Sequence, residues 1–176
     1  MSMTEKIIGF VESNADNPES TAILKYGLRI AMETAAVVIP VIILSIITGQ
    51  FLEGLVSTAG FLILRYLSGG MHFKKASTCN IISIIILIIS ISIPVPFDNV
   101  GCIMTVVAAI ILFFTTPSNT NRRRLDPKYD PLLKVIAAGI VSINFIAESS
   151  VLSLTFFIQA LTTLPIFWKL LDTYQN

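Results

Sequence analysis

Two long stretches without a charged side chain constrain this chain more than anything else in it. Ala76 to Phe97 is crowded with isoleucine, and Asn99 to Asn121 follows after a single aspartate, Asp98. Each supplies the roughly 20 residues that a helix needs to cross the hydrocarbon of a bilayer. Counting them as 77–96 and 99–116, and adding apolar runs at about 30–48, 51–67, 132–147 and 150–168, the chain predicts about six spans. The β-branched content is no objection, because in hydrocarbon only a helix or a closed barrel satisfies the backbone internally. Gly54, Gly60, Gly139 and Pro165 interrupt the second, fifth and sixth runs, which leaves open that one of these is re-entrant. Composition agrees: 54% of the 176 residues are hydrophobic and 13% charged, more apolar surface than a water-soluble domain of this length can hide. The expected fold is therefore all-α, a polytopic membrane helix bundle forming one domain over 1–176. Residues 1–28 would be a cytoplasmic or interfacial segment and 29–170 the transmembrane bundle.

Charge placement orients the spans. Lys6, Lys25 and Arg29 precede the first; Arg65, Lys74 and Lys75 lie between the second and third; Arg122, Arg123, Arg124, Lys128 and Lys134 between the fourth and fifth; Lys169 follows the sixth. All 12 basic residues thus fall on one side of a six-span arrangement, which the excess of lysine and arginine in cytoplasmic loops identifies as the cytoplasm. Both termini are then expected on the cytoplasmic side of the cell membrane. The first long apolar run begins near Ile30 behind a polar leader, so no cleavable signal peptide is expected and the first span would serve for insertion. In that leader Ile7, Ile8, Phe10 and Val11 gather on one face of a short helix that would lie in the interface, with Asn17, Pro18 and Ser20 breaking it. A locally ordered tail is the alternative. A net charge of +1 excludes the strong basic excess expected of a nucleic-acid binder.

Chemistry concentrates between the second and third spans, where Arg65-Tyr-Leu-Ser-Gly69-Gly70-Met-His72-Phe-Lys74-Lys75-Ala-Ser77-Thr78-Cys79 holds the only histidine and one of two cysteines. The other cysteine, Cys102, falls at the opposite membrane face and reads as packing. On an unbroken helix the seven-residue spacing from His72 to Cys79 is about 10.5 Å of rise, too far for the proton transfer that needs about 3 Å. Gly69 and Gly70 break helical continuity, and Ser77 or Thr78 can cap the next helix, so a bent segment can return His72 to Cys79. A helix N-terminus, with Lys74 and Lys75 beside it, favours an anionic sulfur, the condition for a cysteine nucleophile with a histidine partner. The plainer readings are a small apolar cysteine, a solvated histidine, a glycine turn between spans and Arg65 as a snorkelling anchor.

The string Arg-x4-Gly-x-His-x6-Cys, at this junction of the second and third of six spans, resembles the accessory gene regulator B family of membrane peptidases. The likeness extends to Tyr26-Gly27-Leu28 before the first span and Thr163-Leu164-Pro165-Ile166-Phe167 near the end, so it covers most of the chain. The resemblance implies a membrane-embedded cysteine endopeptidase that cleaves the C-terminal part of a small peptide precursor and promotes thiolactone formation, giving a cyclic autoinducing peptide for quorum sensing. It places the catalytic pair on His72 and Cys79, and the motif arginine and glycine on Arg65 and Gly70. Family members often carry proline and lysine in the loop after the fourth span, whereas here Pro117 is followed by Arg122-Arg123-Arg124.

Supporting roles are expected of Gly69, Ser77 and Glu33, the last as an orienting carboxylate near the inner end of the first span. Glu53 and Glu148 fall near the outer interface, where a solvated carboxylate needs no special role. Lys74, Lys75 and Arg122 to Arg124 are candidates for holding an acidic peptide tail, with anionic lipid as the competing explanation. The partner is thus a short precursor with an amphipathic start, an internal cysteine and an acidic end. Membrane lipids, and as an open option a homodimer, complete the expected partners; no cofactor or metal is expected. The rival function is a non-enzymatic transporter or permease component, for which neither an internal repeat nor a midplane charge pair speaks.

Overall fold

A computed structural model describes residues 18–71, 75–93, 95–118 and 126–167, with side chains from Leu24 onward. The interfacial leader helix, His72, Lys74, Arg122 to Arg124 and Lys169 lie outside the described residues. Among the described residues seven α-helices follow in chain order: α1 (Pro18–Ile47), α2 (Phe51–Ser68), α3 (Ala76–Ser92), α4 (Cys102–Thr115), α5 (Asp130–Ser142), α6 (Asn144–Ala147) and α7 (Ser150–Thr163). A wide π turn over Phe97–Gly101 leads into α4 and a tight turn over Pro127–Tyr129 into α5. There is no strand among the described residues.

Among the described residues four stretches are long and apolar enough to cross a membrane: Leu24–Ile47, Phe51–Ser68, Phe97–Thr115 and Pro127–Ala147. Two shorter apolar helices, Ala76–Ser92 and Ser150–Thr163, accompany them. The helical segments fall on the six apolar runs read from the sequence. Gly54, Gly60 and Gly139 do not interrupt their helices; the fifth segment breaks only between Ser142 and Asn144. At the end of α7, Leu164 turns to extended backbone, as expected of the residue before a proline.

What the bundle buries marks it as a membrane protein. Large apolar side chains point outward, among them Phe114 at 74% exposure and Ile146 at 87%. Inside, serine, threonine, asparagine and glutamine sit beside the buried hydrophobics. Many of the hydroxyls donate to the carbonyl four residues back, as Ser45 does to Val41, Ser68 to Leu64, Ser90 to Ile86 and Thr155 to Val151. Such a hydroxyl presents little unsatisfied polarity to its neighbours, so helices can approach closely through small residues where no hydrophobic drive between them exists. α2 and α7 approach closely in this way. Ser57 and Thr155 share a hydrogen bond of 2.8 Å, and a Cβ at Gly60 would stand 2.9 Å from both Leu152 and Phe156.

α2 and α7 run through the centre. On one side Leu64 and Phe156 pack with Ala108 and Leu112 of α4 and Ala137 and Val141 of α5; on the other Phe61 packs with Val37 and Val41 of α1 and Ile86 and Leu87 of α3. Hydrogen bonds tie the connections at each end. At one end Gln50 donates to the Ile91 carbonyl, while Asn144 donates to Thr105, Ser149 and Ser153 and accepts from the Ser149 amide. At the other, the turn after α2, the start of α3 and the ends of α4 and α7 converge, and α1 and α5 begin on the same side. The described lysines and arginines, Lys25, Arg29, Arg65, Lys75, Lys128 and Lys134, all belong to this second end, and Glu53, Asp98 and Glu148 to the first.

Candidate functional site

The second end is built around a chain reversal. α2 stops because Gly69 takes φ +74° and Gly70 φ +126°, backbone that residues with a side chain rarely adopt. The continuity expected to break at the diglycine does break there. The reversed segment is fixed at four backbone atoms. The Ser68 carbonyl accepts from both the amide and the hydroxyl of Ser118, each at 2.9 Å. The Gly69 carbonyl accepts from Gln159 Nε2 at 2.9 Å, and the Met71 amide donates to the Thr162 carbonyl at 3.0 Å. The Met71 carbonyl, finally, accepts from Arg65 Nη2 at 2.9 Å.

That same Arg65 nitrogen donates to Cys79 Sγ at 2.9 Å. Sulfur and the Met71 oxygen therefore lie no more than about 5.8 Å apart, bound to one guanidinium nitrogen. Phe61, one turn earlier on α2, sits under the guanidinium with its ring centroid 5.6 Å from the arginine carbon. Arg65 is thus turned inward onto the cysteine, part-buried, rather than outward as a snorkelling anchor. Cys79 is half-buried and a free thiol, as is Cys102 at the opposite end of the bundle.

α3 begins earlier than its capping residues predict. Its N-cap is Lys75, which makes no side-chain capping bond, and neither Ser77 nor Thr78 caps it. Ser77 is an exposed residue of the first turn. The reason is register: the Cys79 amide already bonds the Lys75 carbonyl at 3.4 Å, so the helical ladder is under way before the hydroxyls could act. Cys79 accordingly closes the first turn, and the amides of Ala76, Ser77 and Thr78 precede the ladder and have no intrahelical acceptor.

Among the other residues singled out by sequence, Glu33 accepts from Arg29 Nε at 3.2 Å, one turn away on its own helix. Lys75 is exposed at the entrance to α3. Ser118, the last described residue after α4, leads toward Arg122 to Arg124 and is docked on the diglycine turn. The sequence drew attention to Arg65, Gly69, Gly70 and Cys79, and the structure brings these four together. It did not draw attention to Gln159, Thr162, Ser68 or Ser118. Gln159 is the one residue among these that sequence could have flagged, as an amide in the middle of an apolar span, where polar groups are costly unless they are partnered. It is fully buried.

No curated protein and no solved structure matches the chain at a significant level. The family model for accessory gene regulator B does, over residues 4–172, a span that contains every residue of the site just described. That family takes part in processing the peptides of quorum sensing, acting on a peptide precursor at the membrane. With a match along nearly its whole length and the arginine, glycine and cysteine of the motif gathered at one end of a helical bundle, the chain belongs to the accessory gene regulator B family.

Proposed function

We propose that the chain is a cysteine endopeptidase of the cytoplasmic membrane face, with Cys79 as nucleophile and His72 as its acid and base. The observation that carries this reading is the shared Arg65 nitrogen, 2.9 Å from the sulfur and 2.9 Å from the carbonyl of Met71, the acyl half of the peptide bond leading to His72. Chain continuity at the diglycine turn is thereby tied to the cysteine through one side chain. The clustering of the described basic residues at this end supports a cytoplasmic position.

The chemistry follows from these groups. The Cys79 sulfur anion attacks a backbone carbonyl toward the C-terminal part of the precursor, and Arg65 orients the sulfur through its N–H. The peptide C–N bond breaks as His72 protonates the departing amine, leaving the N-terminal part of the precursor as a thioester on Cys79. A cysteine thiol within that peptide then attacks the thioester, its proton passing to His72, and Cys79 leaves as the ring thiolactone closes. One thioester replaces another, so no external energy source is needed, and the positioning of the two ends favours closure. Lys74, Lys75 and Arg122 to Arg124 are the groups available to an acidic precursor tail.

Reconstitution in liposomes with a synthetic precursor tests this. Cys79→Ala and His72→Ala are expected to abolish cleavage, and brief incubation of the native chain is expected to give a peptide adduct on Cys79 that hydroxylamine removes. Cleavage at the native rate by Cys79→Ala removes the reading.

A further inference from the structure

Nothing in the mechanism uses α7, yet it carries the contacts that shape the turn in front of Cys79. Gln159 is fully buried, and its Nε2 donates to the Gly69 carbonyl at 2.9 Å and reaches Ser68 Oγ at 3.3 Å. The amide is itself held from the other side. Thr162 Oγ1 donates to the Gln159 backbone carbonyl at 2.7 Å and lies 3.3 Å from Gln159 Oε1, so the hydroxyl sits on the oxygen side of the amide. The same two side chains form the surface against which Gly70 lies, since a Cβ there would stand 2.8 Å from Thr162 Oγ1 and 3.4 Å from Gln159 Nε2. One residue further, the Met71 amide closes on the Thr162 carbonyl, one of the final carbonyls of α7 that have no intrahelical donor.

From this arrangement we infer that Gln159 and Thr162 are positioning residues: they set the diglycine turn, and through it the Arg65 and Met71 geometry at Cys79, without touching the reacting atoms. The inference rests on the peptidase reading above. It adds that the rate of the chemical step depends on a buried glutamine amide from the far end of the sequence. A misplaced turn shifts the segment that follows Met71 relative to the sulfur, and displacements of about 1 Å at reacting groups cost on the order of a hundredfold in rate. Attraction of an acidic precursor tail to Lys74, Lys75 and Arg122 to Arg124 acts over longer distances and tolerates such a shift, so KM is expected to change little.

The test measures kcat and KM for precursor cleavage by the full chain in liposomes, with the folded fraction of each variant determined in detergent. Gln159→Met keeps the volume and removes the amide; it is expected to lower kcat by about tenfold or more with KM within about twofold. Thr162→Val is expected to lower kcat in the same way, and Thr162→Ser, which keeps the hydroxyl, to restore it. If Gln159→Met does not fold, the Thr162→Val and Thr162→Ser pair decides alone. Native kcat in both Gln159→Met and Thr162→Val, or a loss that only follows the folded fraction, overturns the inference. Cys79→Ala in the same assay separates this from the reading beneath it. If that variant is inactive while Gln159→Met and Thr162→Val are both native-like, only the positioning role falls. If that variant cleaves, the peptidase reading falls and the inference with it.

Discussion

At 2.9 Å from the Cys79 sulfur, one Arg65 nitrogen serves two acceptors, Cys79 Sγ and Met71 O, while the planar guanidinium lies over the Phe61 ring; a lysine ammonium could serve both acceptors, but as a compact, strongly hydrated charge it covers the ring poorly. Arg65→Lys is therefore expected to lose about tenfold in single-turnover cleavage and Arg65→Met about a hundredfold. A native rate for Arg65→Met would reduce the arginine to a membrane anchor. Arg65, Gly70 and Cys79 were legible in the sequence because charge, backbone permissiveness and a thiol are properties of a residue by itself. Ser77 as a cap was misread, because a hydroxyl's preference for an N-cap, worth about 1 kcal/mol, yields to a chain already held by the Met71 amide and by the ladder from Lys75. Gln159 could be flagged only as a polar group inside an apolar run, without its partner, and Thr162 not at all. Their role exists only through atoms 90 positions away in the chain, as the Gly69 carbonyl shows.

For the helices themselves, run length in the sequence was enough. The stretch read as 51–67 is the helix Phe51–Ser68, and the one read as 77–96 is Ala76–Ser92, ending at an extended Ile93. A bilayer imposes that length, so apolar runs announce it. Which helices touch is another matter, since serine and threonine are scattered through several spans and only packing says which face which. The α2 and α7 pair illustrates the point, with Ser57 and Thr155 bonded across 98 residues of sequence. Here the backbone approach itself can be tested. Gly60→Val is expected to destabilise the bundle by about 1–3 kcal/mol, read as a lowered unfolding midpoint in detergent. Gly60→Ala is expected to cost less, because a methyl there meets the outer atoms of Leu152 and Phe156, which can give by a few tenths of an ångström.

Across the whole molecule the usual distribution of polarity is inverted: hydroxyls and amides are enclosed, while isoleucine and phenylalanine cover the outside. Val106, midway along the apolar stretch that contains α4, is 41% exposed and belongs to that outer cover. Val106→Arg is expected to cost about 2.5–3.5 kcal/mol of membrane insertion, seen as protein lost from the membrane fraction after an alkaline wash, whereas a surface facing water would tolerate it. The distribution of charge along the bundle adds a polarity of its own, with the described basic residues at the end that holds Cys79.

The hydrogen bonds from Gln159 and Thr162 to the turn before Cys79 also impose an order in time. A ribosome delivers Cys79, Arg65 and both glycines while α7 is still unmade, so on the proposed peptidase reading the nascent chain carries its nucleophile in an unfinished setting until α7 follows. Competence to cut a precursor would then arrive with the insertion of the last helix, and an interrupted translation product would remain in the bilayer without the activity of the finished one.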